Sequence, residues 1–249
     1  MNIKKTIRNS VLGLAAFLAI NGSIYKVDQT EQAVITRFGK PVRVILNPIL
    51  RNDELSDKLK ENYQSRKVKY DVVPGLLGTN LYAKWPFIET IHRLDRRLLE
   101  WDGTPEQVPT SDKRYIWVDM AARWVIHDPL KYLETVKTFQ GAQSKLDDII
   151  DSYGRTVISK YPLIESVRNT NREMQFEERE LAEEANKGEK VSIGRWEIER
   201  QITESSRNAC LDYGILVENV MIKRINYVDS VKVDIEKRMI AERDRIAAK

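Results

Sequence analysis

The chain has 249 residues, of which 42% are hydrophobic and 31% charged, so it is long enough for one or two domains with their own core. Its net charge of +4 is a small difference between 41 basic and 37 acidic residues. Because the two signs are interleaved along the chain, the composition argues against a nucleic-acid-binding protein. The single cysteine, Cys210, excludes an internal disulfide framework and any metal site built from several cysteines.

A basic start and an uncharged apolar stretch open the sequence. Three basic residues lie in positions 1–8, and residues 9–25 carry no charge. We predict a cytoplasmic tail at 1–8 and one transmembrane anchor at 9–25. A cleavable signal peptide is the alternative, but Ala19-Ile20-Asn21 is a poor cleavage site. The anchor residues expected in the membrane are Val11, Leu12, Leu14, Phe17, Leu18 and Ile20.

The next segments predict strands separated by polar and turn-forming residues. The stretch EQAVITRFGKPV is typical of a strand that runs into a turn. Residues 51–70 are polar and indicate a solvated loop or a short surface helix, with a membrane or partner contact as the alternative. Pro74-Gly75 predicts a turn, and a second strand is expected from about Ile88 to Trp101.

The clearest strand has six apolar residues at a strict period of two. Its opposite face mixes apolar and charged residues, so the strand is expected to be half buried or to lie between a sheet and helices. Pro129 after this strand is a natural first-turn residue for a helix. The six apolar positions are Ile116, Val118, Met120, Ala122, Trp124 and Ile126.

From residue 142 the apolar period becomes helical. One stripe predicts a helix that contains Leu146, Ile149, Ile150, Tyr153 and Val157. The segment REMQFEERELAEEANKGEK, residues 172–190, is charge-dense and indicates an exposed helix or a mobile insertion. A further helix is expected at 194–213, where Gly214 is a good stop signal and Cys210 is interpreted as a small apolar helix residue rather than a reactive thiol.

The C-terminal part predicts a strand in ILVENVMIKRINYV and then a helix. That helix, residues 229–249, is rich in charge and has only a thin apolar stripe, so we expect the start of a long coiled coil. The fold class is therefore α+β, with a mixed or antiparallel sheet packed by helices. One transmembrane helix precedes this domain, and the coiled-coil helix follows it.

Little in the sequence predicts catalysis. The two histidines, His92 and His127, have no ligand-like spacing, and no metalloprotease, phosphate-loop or nucleophile-elbow motif is present. Adjacent acidic pairs such as Asp147-Asp148 are interpreted as solvated helix faces. We therefore expect a non-enzyme with no catalytic residue, no cofactor and no metal, although sequence alone leaves open a hydrolase assembled from scattered residues.

The order of these segments resembles the stomatin/prohibitin/flotillin superfamily, the SPFH or band-7 domain. The similarity rests on EQAVITRFGKP, PGL, PFIETIHRLDRR, WVIHDP, GILVENVMIKRIN and IEKRMIAER. Within the superfamily these segments are most similar to the bacterial HflC branch, the modulators of the membrane protease FtsH. The resemblance places the SPFH domain at residues 26–228. Residues 42–70 and 168–192 depart from the family pattern as insertions.

The resemblance also implies a membrane-proximal wedge. In the family, the segments that correspond to residues 75–88 are apolar elements next to the bilayer, and here they include Leu81 and Tyr82. The alternative is that these residues are domain core. The expected wedge residues are Leu76, Leu77, Trp85, Pro86, Phe87 and Ile88.

The function that this resemblance implies is that of a scaffold. The chain would alternate with an HflK-like paralogue in a hetero-oligomeric cage around an FtsH-like membrane protease and limit substrate access. Its location would be the bacterial inner membrane, in contact with lipid, with the main domain in the periplasm and no role for nucleic acid. A stomatin- or flotillin-like organiser of membrane domains, without a protease partner, is the alternative. Hypothetical oligomer contacts are Asp147, Arg155, Glu236 and Arg238.

Overall fold

The computed structural model describes residues 23–46, 53–72, 80–171 and 190–227. They divide into two compact units. Unit 1 comprises the residues up to Arg97 together with Ile126–Lys137, and unit 2 comprises Leu98–Val125 together with the residues from Thr138 onward. Both contain strands and helices, so the predicted α+β class is confirmed.

The described part of unit 1 contains a two-stranded ribbon, a four-stranded sheet and two helices. The ribbon strands are β1 (Ile24–Lys26) and β5 (Leu81–Ala83), which pair antiparallel. The sheet strands are β2 (Glu31–Arg37), β3 (Lys40–Leu46), β4 (Lys69–Val72) and β6 (Glu89–Asp95). The helices are α1 (Asp53–Ser65) and α2 (Pro129–Thr135). The sheet order is β4-β3-β2-β6, with β3 and β4 parallel and the other pairs antiparallel.

Strand β2 is buried on both faces, which explains its continuous apolar centre. Successive side chains of a strand point to opposite faces, so Ala33 and Ile35 face one way and Val34 the other. Ala33 and Ile35 pack in a cluster with Tyr25 and Tyr82 of the ribbon. Val34 packs in a second cluster whose other members are Val44, Leu59, Tyr63, Val68 and Leu130. The ribbon therefore covers one face of the sheet and the helices cover the other.

Helix α1 contributes to the core more than its polar sequence suggests. Leu59 and Tyr63 are buried, and the Tyr63 hydroxyl donates to Asp128 Oδ1 at 2.6 Å. The same Asp128 oxygen accepts the backbone N–H groups of Leu130 and Lys131, so it also caps helix α2. Burial, followed by the Asp128 charge, raises the pKa of Tyr63. The short surface helix expected within 51–70 is thus confirmed as a helix, and the structure adds that its Leu59 and Tyr63 side chains reach the core.

The described part of unit 2 contains a four-stranded sheet and three helices. Its strands are β7 (Leu99–Asp102), β8 (Glu106–Pro109), β9 (Tyr115–Ile126, whose last residue belongs to unit 1) and β10 (Ile215–Tyr227). Its helices are α3 (Phe139–Ile158), α4 (Leu163–Val167) and α5 (Arg195–Cys210), which a short 3₁₀ turn extends to Tyr213. Strand β9 pairs with β10 and with β7, and β8 also pairs with β9.

The apolar periodicities that predicted a strand and a helix in unit 2 agree with the burial of their side chains. All six apolar positions predicted on one face of β9 are buried. Helix α3 buries Leu146, Ile150 and Val157 of the predicted stripe, while Ile149 and Tyr153 lie half-buried at its margin. Gly214 has a φ of 74°, the left-handed conformation that ends the helical segment. Cys210 is buried, and burial raises the pKa of its thiol to about 12, so it is the inert helix residue that was predicted.

The single strand expected from Ile88 to Trp101 was wrong. The chain forms β6 and β7 there, and these strands belong to different sheets. Between them, the Asp95 carboxylate accepts the Arg97 backbone N–H at 2.8 Å and its guanidinium at 2.7 Å. Such local side-chain bonds compete with strand pairing and favour a turn.

A buried carboxylate binds the backbone of the three residues that directly precede helix α5. Glu165 of α4 accepts hydrogen bonds from the N–H groups of Ser192, Ile193 and Gly194 at 2.6, 3.0 and 2.6 Å, and from the Ser192 hydroxyl at 2.8 Å. Burial acts to raise the pKa of Glu165, but these four donors hold it at about 2. The ionised carboxylate therefore stabilises the folded unit at neutral pH.

We expect Glu165→Gln to lower the free energy of unfolding by about 2–4 kcal/mol at pH 7, because an amide accepts fewer and weaker hydrogen bonds than this carboxylate. The folded pKa is depressed, so the contribution is present above the unfolded pKa and is lost as pH falls towards about 2. Urea unfolding at pH 7 and pH 3 should show the difference between wild type and variant shrinking in acid. An equal difference at both pH values would contradict the assignment.

Candidate membrane-facing surface

The ribbon of unit 1 has an apolar outward face where the N-terminal segment enters the domain. Tyr25 and Tyr82 point into the core, so Ile24 and Leu81 lie on the opposite, exposed face. The Lys84 N–H donates to the Ser23 carbonyl at 2.7 Å. Ser23, directly before strand β1, therefore lies beside Lys84 at the end of strand β5.

The loop that leaves the ribbon exposes its aromatic residues. Trp85 is 64% exposed and Phe87 is 93% exposed, whereas Pro86 between them is half-buried. The Glu89 carboxylate fixes this loop by accepting the Trp85 N–H at 2.9 Å and the Arg37 guanidinium at 2.6 Å. Burial acts to raise the pKa of Glu89, but these two hydrogen bonds hold it below its usual value. The loop is thus held in shape with its large apolar side chains outside the core.

A second turn places another phenylalanine at the same end of the sheet. Phe38 lies in the turn between β2 and β3 and is 85% exposed. In the strand register, Arg37 of β2 lies opposite Lys40 of β3 and opposite Glu89 of β6. Phe38 and the Phe87 loop therefore both lie just beyond this end of the three strands. Phe38 and Phe87 have φ values of 49° and 65°. This left-handed region is strained for bulky residues and is often found at functional sites.

The exposed apolar residues of the ribbon and of two turns at the same end of the sheet are together called the apolar tip surface. It combines the outward face of the ribbon with two adjacent turns, and exposed basic residues (Lys26 and Lys40) lie next to it. Exposed aromatic and aliphatic side chains beside lysines suit the boundary between lipid headgroups and acyl chains. The apolar tip surface consists of Ile24, Phe38, Leu81, Trp85, Phe87 and Ile88.

Unit 2 contains an acidic groove on α3 and β8. The groove has a volume of about 340 Å³ and is lined by Glu106, Asp147, Asp148, Asp151, Ser152, Arg155 and Thr156. Arg155 pairs with Glu106 at 2.7 Å, and Asp147 accepts the Trp101 indole N–H at 2.6 Å. Burial, followed by the charges of Glu106 and Asp147, raises the pKa of Asp151 to about 7 against the opposing effect of Arg155.

The described residues bring together no catalytic constellation. His92 is 3.2 Å from the Thr36 hydroxyl within the sheet of unit 1, and His127 is buried with a pKa that burial lowers. Within the four described ranges, no group of three or more His, Cys, Asp or Glu side chains is placed to hold a metal ion.

The sequence matches the family described as SPFH domain / Band 7 over residues 25–249. The chain belongs to this family. Its predicted resemblance to the SPFH superfamily and to the HflC branch is confirmed.

Several relatives of this SPFH protein carry the name HflC. The chain is 30% identical over 249 residues to Protein HflC of Borreliella burgdorferi, which covers 98% of the chain and 68% of that relative. It is 35% identical over 179 residues to Protein HflC of Treponema pallidum, covering 67% of the chain and 54% of the relative. It is 24% identical over 261 residues to the Modulator of FtsH protease HflC of Escherichia coli K12, covering 96% and 70%. The chain thus spans only part of the length of these relatives.

The structure separates the predicted wedge residues. Trp85, Phe87 and Ile88 are exposed, so for them the domain-core alternative was wrong, whereas Tyr82 is buried and faces inward. Sequence reasoning missed Ile24 and Phe38, although a Phe-Gly pair directly after a strand was a signal for an exposed turn. Leu76 and Leu77 lie outside the described residues.

Other predicted site residues fall partly outside the structure. Three groups of predicted residues lie outside the described ranges. They are the six anchor residues, residues 172–189 of the expected insertion, and the contact residues Glu236 and Arg238. The last two residues of the expected anchor range 9–25, Ile24 and Tyr25, belong to strand β1 instead. Among the helices that the structure describes, none has the length and apolar character needed to span a bilayer. Asp147 and Arg155 lie on α3 and have partners within unit 2.

We expect a fluorophore at position 38 or 87 to enter the lipid interface. Cys210 is buried and poorly ionised, so Phe38→Cys and Phe87→Cys can be labelled selectively with an environment-sensitive dye. In liposomes reconstituted with the full chain, emission from both sites should shift to the blue and be quenched by spin-labelled lipid. Trp196→Cys is the matched control, because Trp196 is a 78% exposed aromatic of unit 2. Equal quenching at positions 87 and 196 would contradict a membrane role for the apolar tip surface.

We expect Asp151→Asn to stabilise the protein at alkaline pH. A carboxyl whose folded pKa is raised to about 7 costs stability as pH rises from its unfolded pKa to that value, and the full cost remains above it. After discounting for partial exposure, the gain at pH 8 should be about 1–2 kcal/mol, shrinking at pH 4.5. Thermal unfolding at both pH values tests this. Asp148→Asn removes another carboxylate from the same helix, at a largely exposed position, and is the matched control.

Proposed function

We propose that this chain is a non-catalytic membrane scaffold subunit of the HflC type. In this role it would form a hetero-oligomeric cage with an HflK-like paralogue and regulate an FtsH-like membrane protease by limiting substrate access. Membership of the SPFH family and the printed name of the Escherichia coli relative, a modulator of FtsH protease, support this proposal.

The observation that carries the proposal is the position of the apolar tip surface. Ser23, which directly follows the N-terminal apolar segment, is hydrogen-bonded to Lys84 at the start of the loop that exposes Trp85 and Phe87. A transmembrane anchor in the preceding residues would therefore enter the bilayer beside this surface. The anchor and the apolar tip surface would then be two adjacent attachments to the bilayer. Together they would restrict tilting of unit 1, because an anchor alone leaves the domain free to rotate about its connection.

Modulation in this proposal is steric rather than chemical. The domain would stand on the periplasmic face of the bacterial inner membrane, with its N-terminus in the cytoplasm, and neighbouring subunits would close a wall around the protease. Closed rings need complementary side-to-side contacts, and the charged faces of α3 and of residues 229–249 are candidates. Here Asp147, Arg155, Glu236 and Arg238 remain hypothetical contacts. Asp147 and Arg155 would join a neighbour while keeping their partners in unit 2.

A stomatin- or flotillin-like organiser of membrane domains is the second candidate. The apolar tip surface would serve it equally well, because seating on lipid needs no protease. The two functions differ in their protein partners, so partner capture separates them.

We expect full-length protein with a C-terminal tag, solubilised from native membranes in mild detergent, to co-purify a second SPFH protein and an ATP-dependent membrane protease in near-stoichiometric amounts. Quantitative mass spectrometry is the measurement. A tagged unrelated single-pass protein of the same membrane is the control for detergent carry-over. Recovery of the chain with lipid and only copies of itself would favour the organiser and overturn the protease-modulator proposal.

A further inference from the structure

Within the described residues, the outer edge of strand β10 is hydrogen-bonded to side chains of a neighbouring helix. In the described part of the chain, β10 is the terminal strand of the order β10-β9-β7, and it is 13 residues long. The edge of such a strand presents unpaired backbone N–H and C=O groups that readily accept a further strand. In this protein helix α5 supplies hydrogen-bond partners to that edge.

Four residues of α5, spaced four apart, make these bonds. They are Arg195, Glu199, Thr203 and Arg207, and we call them the edge ladder. Glu199 Oε1 accepts the Ile222 N–H at 2.9 Å, and Thr203 Oγ1 accepts the Val220 N–H at 2.9 Å. Arg207 donates to the carbonyls of Val217 and Glu218 at 2.8 and 2.7 Å, and Arg195 donates to the carbonyl of Ile222.

The spacing of the ladder follows from helix and strand geometry. Four residues of an α-helix rise about 6 Å, and two residues of a strand rise about 6.6 Å. Helix positions i, i+4 and i+8 therefore stay in step with every second residue of an antiparallel strand. Glu199, Thr203 and Arg207 accordingly meet β10 in descending order, at Ile222, at Val220 and at Val217 with Glu218.

Each member of the ladder is oriented for its role. The Thr203 hydroxyl donates to the Glu199 carbonyl at 2.7 Å, which leaves its lone pairs to accept from Val220. Arg195 Nε pairs with Glu199 Oε1 at 3.0 Å, so the carboxylate that binds the Ile222 N–H is itself held in place. The side chains of Arg195 and Glu199 are 29% and 17% exposed, which limits competition from water.

We infer that the edge ladder closes β10 to strand addition, and that the partner it excludes is the β10 edge of a second copy of this chain. An antiparallel pairing of β10 with itself would be self-complementary about a two-fold axis. The strand is long and carries buried Val217, Val220 and Ile222, so without the ladder it has the length and composition of an association-prone edge. Assembly of the protein must then use other surfaces.

The test compares two double variants of the full chain in detergent. Glu199→Ala/Arg207→Ala removes two members of the ladder. Arg200→Ala/Glu204→Ala removes a 2.7 Å ion pair on the same helix whose side chains are 58% and 55% exposed. Each double variant removes one acid and one base, so net charge and helix propensity change alike.

We expect hydrogen exchange in the peptide 215–227 to rise about tenfold in the ladder variant at low protein concentration, the factor expected for one charged hydrogen bond. At high concentration, light scattering should show particles of twice the wild-type mass, with exchange slowed again. The control variant should match wild type in both measurements. Wild-type behaviour of the ladder variant, or an equal change in the control, would overturn the inference.

Thr203→Val keeps the test decisive if the double ladder variant fails to fold. It preserves side-chain shape and removes one hydroxyl, which accepts the Val220 N–H and donates to the Glu199 carbonyl within the helix. Faster exchange at that amide, with the peptide of β9 still protected, supports the edge assignment. Unchanged exchange at Val220 contradicts it.

Discussion

Strand β2 must be covered on both faces, and much of unit 1 follows from that constraint. Three consecutive buried residues, Ala33 to Ile35, cannot all face one layer, so a second layer has to pack on the sheet. The ribbon supplies that layer through Tyr25 and Tyr82. Its inward tyrosines leave Ile24 and Leu81 on the outside, and the apolar tip surface is thus a direct result of how the core is closed.

Sequence patterns predicted the elements that rest on long, regular periodicity. The alternation from Ile116 to Ile126, the stripe of α3 and the Gly214 stop all correspond to single elements whose burial repeats many times. The break between β6 and β7 was missed because one carboxylate, Asp95, causes it through local hydrogen bonds. Helix α1 was undervalued because only two of its residues, Leu59 and Tyr63, reach the core.

The candidate surface was predictable only in part, for a related reason. A run such as Trp-Pro-Phe-Ile indicates an apolar segment, but exposure depends on where Glu89 and Arg37 fix the loop. Phe38 joins the surface through strand register, which pairs Arg37 with both Lys40 and Glu89. Register is a property of three strands at once, so no local pattern contains it. The edge ladder is similar, since its four-residue spacing has meaning only beside β10.

The left-handed backbone at Phe38 and Phe87 places two demands on the same residues. A bulky side chain in this conformation costs roughly 1–2 kcal/mol per residue relative to glycine, which the domain must offset elsewhere in its packing. In the proposed membrane role, the backbone at both turns would already be set before contact with lipid, so little backbone entropy would be lost on contact. At these two positions glycine would favour the stability of the isolated domain, whereas phenylalanine would favour contact with lipid in the proposed role. This chain has phenylalanine at both.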